Sequence, residues 1–233
     1  MSYSNRVAGA LLTTLITTSA QAAVWSPHIG ADYKFWNMKP SQDVSNFYKQ
    51  TFPRVGNAFN VYAGTRIENY FGLDVGFESS PVHRKFHVYE GGEIIFAEPF
   101  FAGDATEIDM QLTALHFDMN FYWEAFERFE LIFMMGAAYL HPRTHVQVYD
   151  ALTLSWFELE NTSRPKWSGR FGFGAQYNFV PCFGMKMLIN WDQTRRIEYQ
   201  GFDPENNFYS IFPYHRSTTF NIGLVYSFAP VRH

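Results

Sequence analysis

The sequence predicts an all-β protein, an eight-stranded antiparallel transmembrane β-barrel with short turns at one end and four long loops at the other. Three observations predict it. Apolar and polar residues alternate with period two in eight separate segments. The connections between those segments alternate between long and short without exception. Aromatic residues (25 Phe, 14 Tyr and 6 Trp) make up 19% of the 233 residues, more than a soluble core of this size calls for.

The elements follow in chain order. Arg6 precedes the mostly apolar run Val7 to Ile16, and Ala20-Gln21-Ala22 ends it. A positive charge, a short apolar stretch and an Ala-x-Ala end read as a secretory signal peptide over residues 1–22, leaving 23–233 for the barrel. The first strand spans Pro27 to Trp36, with Ile29, Tyr33 and Phe35 on one face and His28, Asp32 and Lys34 on the other. The second, Asn57 to Ile67, sets Phe59 and Val61 against Asn60 and Arg66. In the third, Phe71, Leu73, Val75 and Phe77 oppose Gly72, Asp74, Gly76 and Glu78.

The fourth strand, Ile108 to Tyr122, changes phase near Ala114, where Leu112 gives way to Leu115, Phe117, Met119 and Phe121; a β-bulge there would produce the shift. The fifth, Glu130 to His141, directs Leu131, Phe133, Met135 and Tyr139 outward, while Ile132, Met134 and Leu140 make its second face unusually apolar. The sixth, Arg170 to Phe179, sets Phe171, Phe173, Tyr177 and Phe179 against Arg170, Gly172, Gly174, Gln176 and Asn178. The seventh, Phe183 to Thr194, carries Met185, Met187, Ile189 and Trp191 against Gly184, Lys186, Asn190 and Asp192. The eighth alternates from Thr219 to Phe228.

The connections fall at residues 37–56, 68–70, 81–107, 123–129, 142–166, 180–182 and 195–216; within 142–166, Val146 to Tyr149 and Leu152 to Trp156 also read as strands extended beyond the membrane, a hairpin turning near Asp150-Ala151. Transmembrane barrels have short periplasmic turns and longer extracellular loops, which is this pattern. A soluble antiparallel barrel shares the alternation. The polar face separates the two. It holds nine glycines, among them Gly30, Gly76, Gly172 and Gly223. Glycine weakens a strand facing bulk water, but it suits a narrow lumen that side chains must fill. The charges on that face nearly balance in sign: Lys34, Arg66, Arg170 and Lys186, with His28, against Asp32, Asp74, Glu78, Asp118 and Asp192. Buried charges need partners, so these residues are expected to form an ion-pair network across the lumen.

At the C-terminal end, Asn221-Ile222-Gly223-Leu224-Val225-Tyr226-Ser227-Phe228 resembles the β-signal read by the outer-membrane assembly machinery, with Asn221, Gly223, Tyr226 and Phe228 at its specified positions. Val61 to Phe77 is similar to the second strand, tight turn and third strand of the OmpA-like and opacity-protein-like small outer-membrane β-barrels, and Arg170 to Phe179 to their sixth strand. Residues 229–233 depart from that family, whose members usually end at the final aromatic. The resemblance implies an integral, multi-pass protein of the outer membrane of a Gram-negative bacterium.

Other chemistries are weakly supported. A formal net charge of −4, without basic blocks, excludes an evident nucleic-acid surface. Cys182 alone cannot form an intramolecular disulfide or a cysteine-rich zinc site. His83 with His87, and His141 with His145, lie in expected loops and read as solvated; neither a metal nor a cofactor is expected. His215-Arg216-Ser217 partly matches the His-x-Ser pair of outer-membrane lipid A deacylases, but Thr218 stands where that family has Asn.

The expected function is a membrane scaffold displaying long loops for surface interaction, in adhesion or envelope integrity, and not an enzyme. A small channel is the alternative, and a lipid-acting enzyme a weaker one. The expected partners are outer-membrane lipid and lipopolysaccharide, the assembly machinery, and an extracellular or host surface partner.

Overall fold

A computed structural model describes residues 25–40, 52–91, 93–95, 98–159, 161–202 and 208–228. The expected signal peptide and the five residues after Phe228 lie outside the described residues. In chain order the strands are β1 Trp25–Pro40, β2 Val55–Ile67, β3 Phe71–Ser79, β4 His83–Val88, β5 Glu93–Ile95, β6 Glu98–Phe100, β7 Ala105–Phe126, β8 Phe129–Asp150, β9 Ser155–Leu159, β10 Asn161–Ser163, β11 Lys166–Val180, β12 Phe183–Phe202 and β13 Phe208–Ser227.

Eight of them close a ring. Each of β1, β2, β3, β7, β8, β11, β12 and β13 pairs antiparallel with the next, and β13 returns to β1 with Ala31 opposite Leu224. Closure leaves the ring without an exposed edge. The turns at one end are tight: Glu68 adopts φ +52° between β2 and β3, and Arg128 φ +65° between β7 and β8.

The ring has an apolar outside and a polar inside, as the alternation requires. Phe35, Phe77, Phe133, Phe173, Ile189 and Phe220 are exposed outward, whereas Asp32, Asp74, Asp118 and Arg170 are buried inward. Along β1 the outward apolar run goes from Trp25 to Phe35, and along β13 from Phe220 to Phe228. Runs of this length match the roughly 9–11 residues a tilted strand needs to cross a bilayer. Inside, bulky side chains nest against glycines. A Cβ on Gly136 would lie 2.3 Å from the Phe117 carbonyl oxygen, so even alanine would push the β7–β8 backbones apart.

Beyond the apolar band the polarity inverts. On β7 Thr106, Ile108 and Met110 are fully buried, and on β8 Val146 and Val148 lie directly opposite Ile108 and Thr106. Glu107, Asp109 and Gln147 take the outer face. With water instead of lipid outside, the ordinary rule of soluble sheets applies and the apolar side chains turn inward.

This inversion corrects two expectations. β7 itself carries no bulge near Ala114: its register against β8 runs unbroken from Ala105 to Glu124, and the irregularity on its other edge lies in the partner, where residues 80–82 face residues 111–112 between β3 and β4. Ile108, Met110 and Leu112 share the inward parity of Ala114, so the apparent phase change is a change of surroundings. The strands also run further than the lipid-facing pattern marks. Much of the expected segment 142–166 is β8 continuing to Asp150, a turn at residues 151–154, and β9 and β10; β4, β5 and β6 occupy part of 81–107.

Candidate functional site

The lumen carries the densest polar chemistry among the described residues. Ordered by distance along the strands from the tight turns, it falls into three groups. Nearest those turns, Arg66 on β2 donates through Nη1 to Glu130 Oε2 at 2.9 Å and through Nη2 to Oε1 at 2.5 Å. The guanidinium lies 4.1 Å from the centroid of the Tyr122 ring, and Asn178 donates to Glu130 at 3.3 Å. Tyr122, Ile132 and Leu188 form a small apolar cluster at this level.

In the second group Asp74 is the hub. Its Oδ1 lies 2.8 Å from His28 Nε2, and its Oδ2 accepts from Asn120 at 2.8 Å and stands 3.7 Å from Lys186 Nζ. Lys186 Nζ also sits 3.7 Å from the centroid of the Tyr62 ring. Asp32 accepts from Asn60 at 3.2 Å. The third group centres on Arg170, which reaches Glu78 at 2.9 Å, Asp192 at 3.1 Å and Asp118 at 3.6 Å. Lys34 pairs with Glu78 at 2.6 Å, and His116 with Asp118 at 2.7 Å. Side chains from opposite walls thus meet across the centre, because eight strands leave an interior only wide enough to be filled.

All nine charged residues read from the sequence therefore face this lumen. Eight of them take part in the ion pairs, and Asp32 is held by Asn60. Sequence reasoning missed Glu130 and His116. Glu130 stands at the first residue of its expected strand and the alternation assigns it to neither face, yet it shares parity with Ile132 and Met134 and is only 1% exposed. A carboxylate on an otherwise apolar inward face was the clue to the cation opposite.

Above these charges lies a cavity of about 50 Å³, lined by Lys34, Glu78 and Asp192 below and by Trp36, Met38 and Leu140 toward the apolar extension. That is room for a few waters, not a passage. Ser217 lies at this mouth and donates to Asp192 at 3.2 Å. The side chain of His215, its suggested partner, lies outside the described residues. His83 packs edge-on against Trp36, with ring centroids 5.0 Å apart, and His145 pairs with Glu158 at 2.9 Å.

The family described as outer membrane protein beta-barrel domain matches residues 8–228. The chain belongs to that family. Among solved structures it is similar to Neisserial surface protein A (NspA), at 11% identity and TM-score 0.52, with 88% of this chain and 99% of that one covered. It is likewise similar to a major outer membrane protein of Thermus thermophilus, at 12% identity and TM-score 0.52, covering 88% and 100%. A third is OprG of Pseudomonas aeruginosa, at 9% identity and TM-score 0.51, covering 88% and 97%. These likenesses show a shared fold. No curated protein matches the sequence.

Membership of the outer-membrane barrel family orients the molecule. It is a multi-pass outer-membrane protein with its tight turns at the periplasmic end and its long strands and loops outside. The terminal segment that resembles the β-signal lies on β13. Asn221 is buried in the lumen, Gly223 packs against Asp32, and Tyr226 and Phe228 face outward with ring centroids 5.4 Å apart.

Proposed function

We propose that the protein is an outer-membrane scaffold that acts through its extracellular sheet and loops, in adhesion or envelope integrity, and not by catalysis or by conduction through its lumen. The observation that carries this reading is the contrast between the interior and the outer end. The interior is crossed by ion pairs at membrane level and packed with apolar side chains above it. The outer end presents large apolar groups to solvent. Leu152 and Leu154, in the turn between β8 and β9, are each 75% exposed, and Phe86, Phe101 and Trp156 are also exposed.

That end is built rather than frayed. The Asp104 carboxylate accepts from Ala151 N at 2.9 Å and from Phe101 N at 2.7 Å, tying two loops together. Tyr89 shares a 2.6 Å hydrogen bond with Thr106, and the Trp156 ring contacts those of Tyr149 and Phe86 at centroid distances of 5.3 and 6.3 Å. Rigid aromatic surface of this kind suits a binding face, since each ring buries a large area at small entropic cost.

The test is to replace residues 151–154 by Asn-Gly, keeping the ring. The expected result is a folded barrel that no longer supports surface attachment or envelope integrity. A trimmed barrel that retains every phenotype of the parent overturns the reading.

A further inference from the structure

Along the outer face of β8 a polar stretch separates two apolar zones. The first ends at Tyr139, whose ring centroid lies 5.2 Å from that of Trp167, directly opposite on β11. His141, Arg143, His145 and Gln147 then take the outward positions. Large apolar groups return at the apex, with Tyr149 on β8, Leu152 and Leu154 in the turn, and Trp156 on β9. From Tyr139 to Tyr149 the strand rises roughly 25 Å at a tilt of about 40°. The second zone therefore stands well clear of the bilayer that the ring spans.

The apex turn is held in one shape. Asp150 accepts from Leu152 N at 2.8 Å and from the Thr153 hydroxyl at 2.7 Å. Asp104, which binds both Ala151 N and Phe101 N, fixes Phe101 at the same end. Leu152, Leu154 and Phe101 are all exposed. Leu154 takes φ +53°, a left-handed conformation that leucine rarely adopts. Glycine or asparagine would fit there with less strain, and neither would present so much apolar surface to water. Backbone geometry and hydration both disfavour leucine at this position, so what favours it lies outside the folded chain.

Behind the leucines come the rings of Trp156 and Tyr149, with centroids 5.3 Å apart. Behind the rings lies a charged row, in which Glu107 and Asp109 pair with Arg84, and Glu158 with His145. Aliphatic tip, aromatic ring with a polar handle, then charge is the order in which side chains meet a membrane from its core outward. The row holds three carboxylates against one arginine and one histidine, so an anionic surface is repelled. The choline ammonium of a zwitterionic headgroup is attracted by the carboxylates and by the face of the Trp156 ring. We infer that the apex carrying Leu152, Leu154 and Phe101 inserts into the headgroup boundary of a second, phosphocholine-rich bilayer, opposite the membrane that the barrel spans. The polar stretch of β8 stays in the water between the two. This assignment rests on the scaffold reading and names its partner as a lipid surface.

The test mixes the full mature barrel in nanodiscs with phosphatidylcholine or phosphatidylglycerol vesicles and measures the fraction that floats with the vesicles. The parent should float with phosphatidylcholine and much less with phosphatidylglycerol. Leu152→Asn and Leu154→Asn should each weaken vesicle binding about tenfold, or about 1.4 kcal/mol, close to the lower end of what burying a leucine contributes. Val55→Asn, at an exposed valine on β2 near the spanned bilayer, should leave binding unchanged. Leu154→Asn should also resist proteolysis within 151–165 at least as well as the parent, because asparagine tolerates the left-handed backbone; a leucine that served the fold would show the reverse. A preference for phosphatidylglycerol, undiminished binding by the double leucine variant, or faster cutting of Leu154→Asn would overturn the assignment. So would a parent that ignores both vesicles; if replacing residues 151–154 still abolished attachment in cells, that result would leave the scaffold reading standing with a partner other than lipid.

Discussion

A single buried pair illustrates the energetics of this lumen. Arg66 and Glu130 make two parallel hydrogen bonds across the barrel, a geometry that offsets much of the desolvation cost of both ions. Removing one partner leaves the other charged and unsatisfied. Arg66→Ala should therefore destabilise the barrel by about 3–5 kcal/mol, whereas Arg66→Met combined with Glu130→Leu should cost far less, because the replaced groups are then both apolar. Urea titrations in detergent micelles, run as a double-mutant cycle, measure the difference. Equal losses in the single and the double variant would mean that the pair contributes little and that volume alone is being read.

At the scale of elements, the limits of sequence reading have one physical cause. Alternation reports the contrast between the two faces of a strand. Within the membrane that contrast is large, and β1, β3, β11, β12 and β13 were legible from residues such as Phe171, Gly172 and Phe173. Beyond the membrane the sign of the contrast reverses. Ile108 and Met110 then look like a phase error, and the outer part of β8, with Val146 and Val148, falls in an expected loop, where only its short alternation points to a strand extended beyond the membrane. Nine of the lumen charges were legible by parity, Glu130 and His116 were not, and neither was which cation meets which anion. Lys34 and Glu78, or Arg170 and Asp118, become neighbours only through the closure and tilt of the ring.

The inverted extension is a separate layer, and its core should fail separately. Ile108→Asp places a charge at a fully buried position, at a cost of several kcal/mol, yet the ring below is held by its own pairs. Limited proteolysis should therefore gain cuts between residues 80 and 104 and between 151 and 165 while the membrane-embedded ring survives. Loss of the whole barrel would show that the two layers fold as one. The opposite end of the molecule offers a second element-scale test. Tyr226→Asp and Phe228→Asp put charge near the periplasmic interface, where the cost to folding is only about 0–1 kcal/mol. A large loss of membrane insertion in cells, with refolding into micelles intact, is the expected signature of recognition by the assembly machinery; normal insertion would remove these residues from that role.

The whole molecule is a tall, narrow tube. A strand of 22 residues such as β8 is roughly 70 Å long and, tilted by about 40°, rises roughly 50–55 Å. That is about twice the height of an apolar band of ~25 Å. Two obstructions of different chemistry therefore lie in series along one axis. At membrane level the lumen is crossed by Arg170, Glu78, Lys34 and Asp192. Above it, the side chains of Trp36, Met38, Ile108 and Val146 are buried inward. An ion meeting the first seal must exchange its hydration for side chains already satisfied by one another. At the second it meets a dry apolar wall, where burying a charge is costlier still. In series, resistances add, so opening one seal should leave the other in control. Planar-bilayer recordings should thus give no steady conductance for the native protein. Lys34→Gly with Glu78→Gly and Arg170→Gly should stay closed, as should Trp36→Gly with Ile108→Gly, and only the combination of both sets should conduct. A steady current through the native barrel, or through either set alone at the level of the combination, would overturn the scaffold reading in favour of the channel.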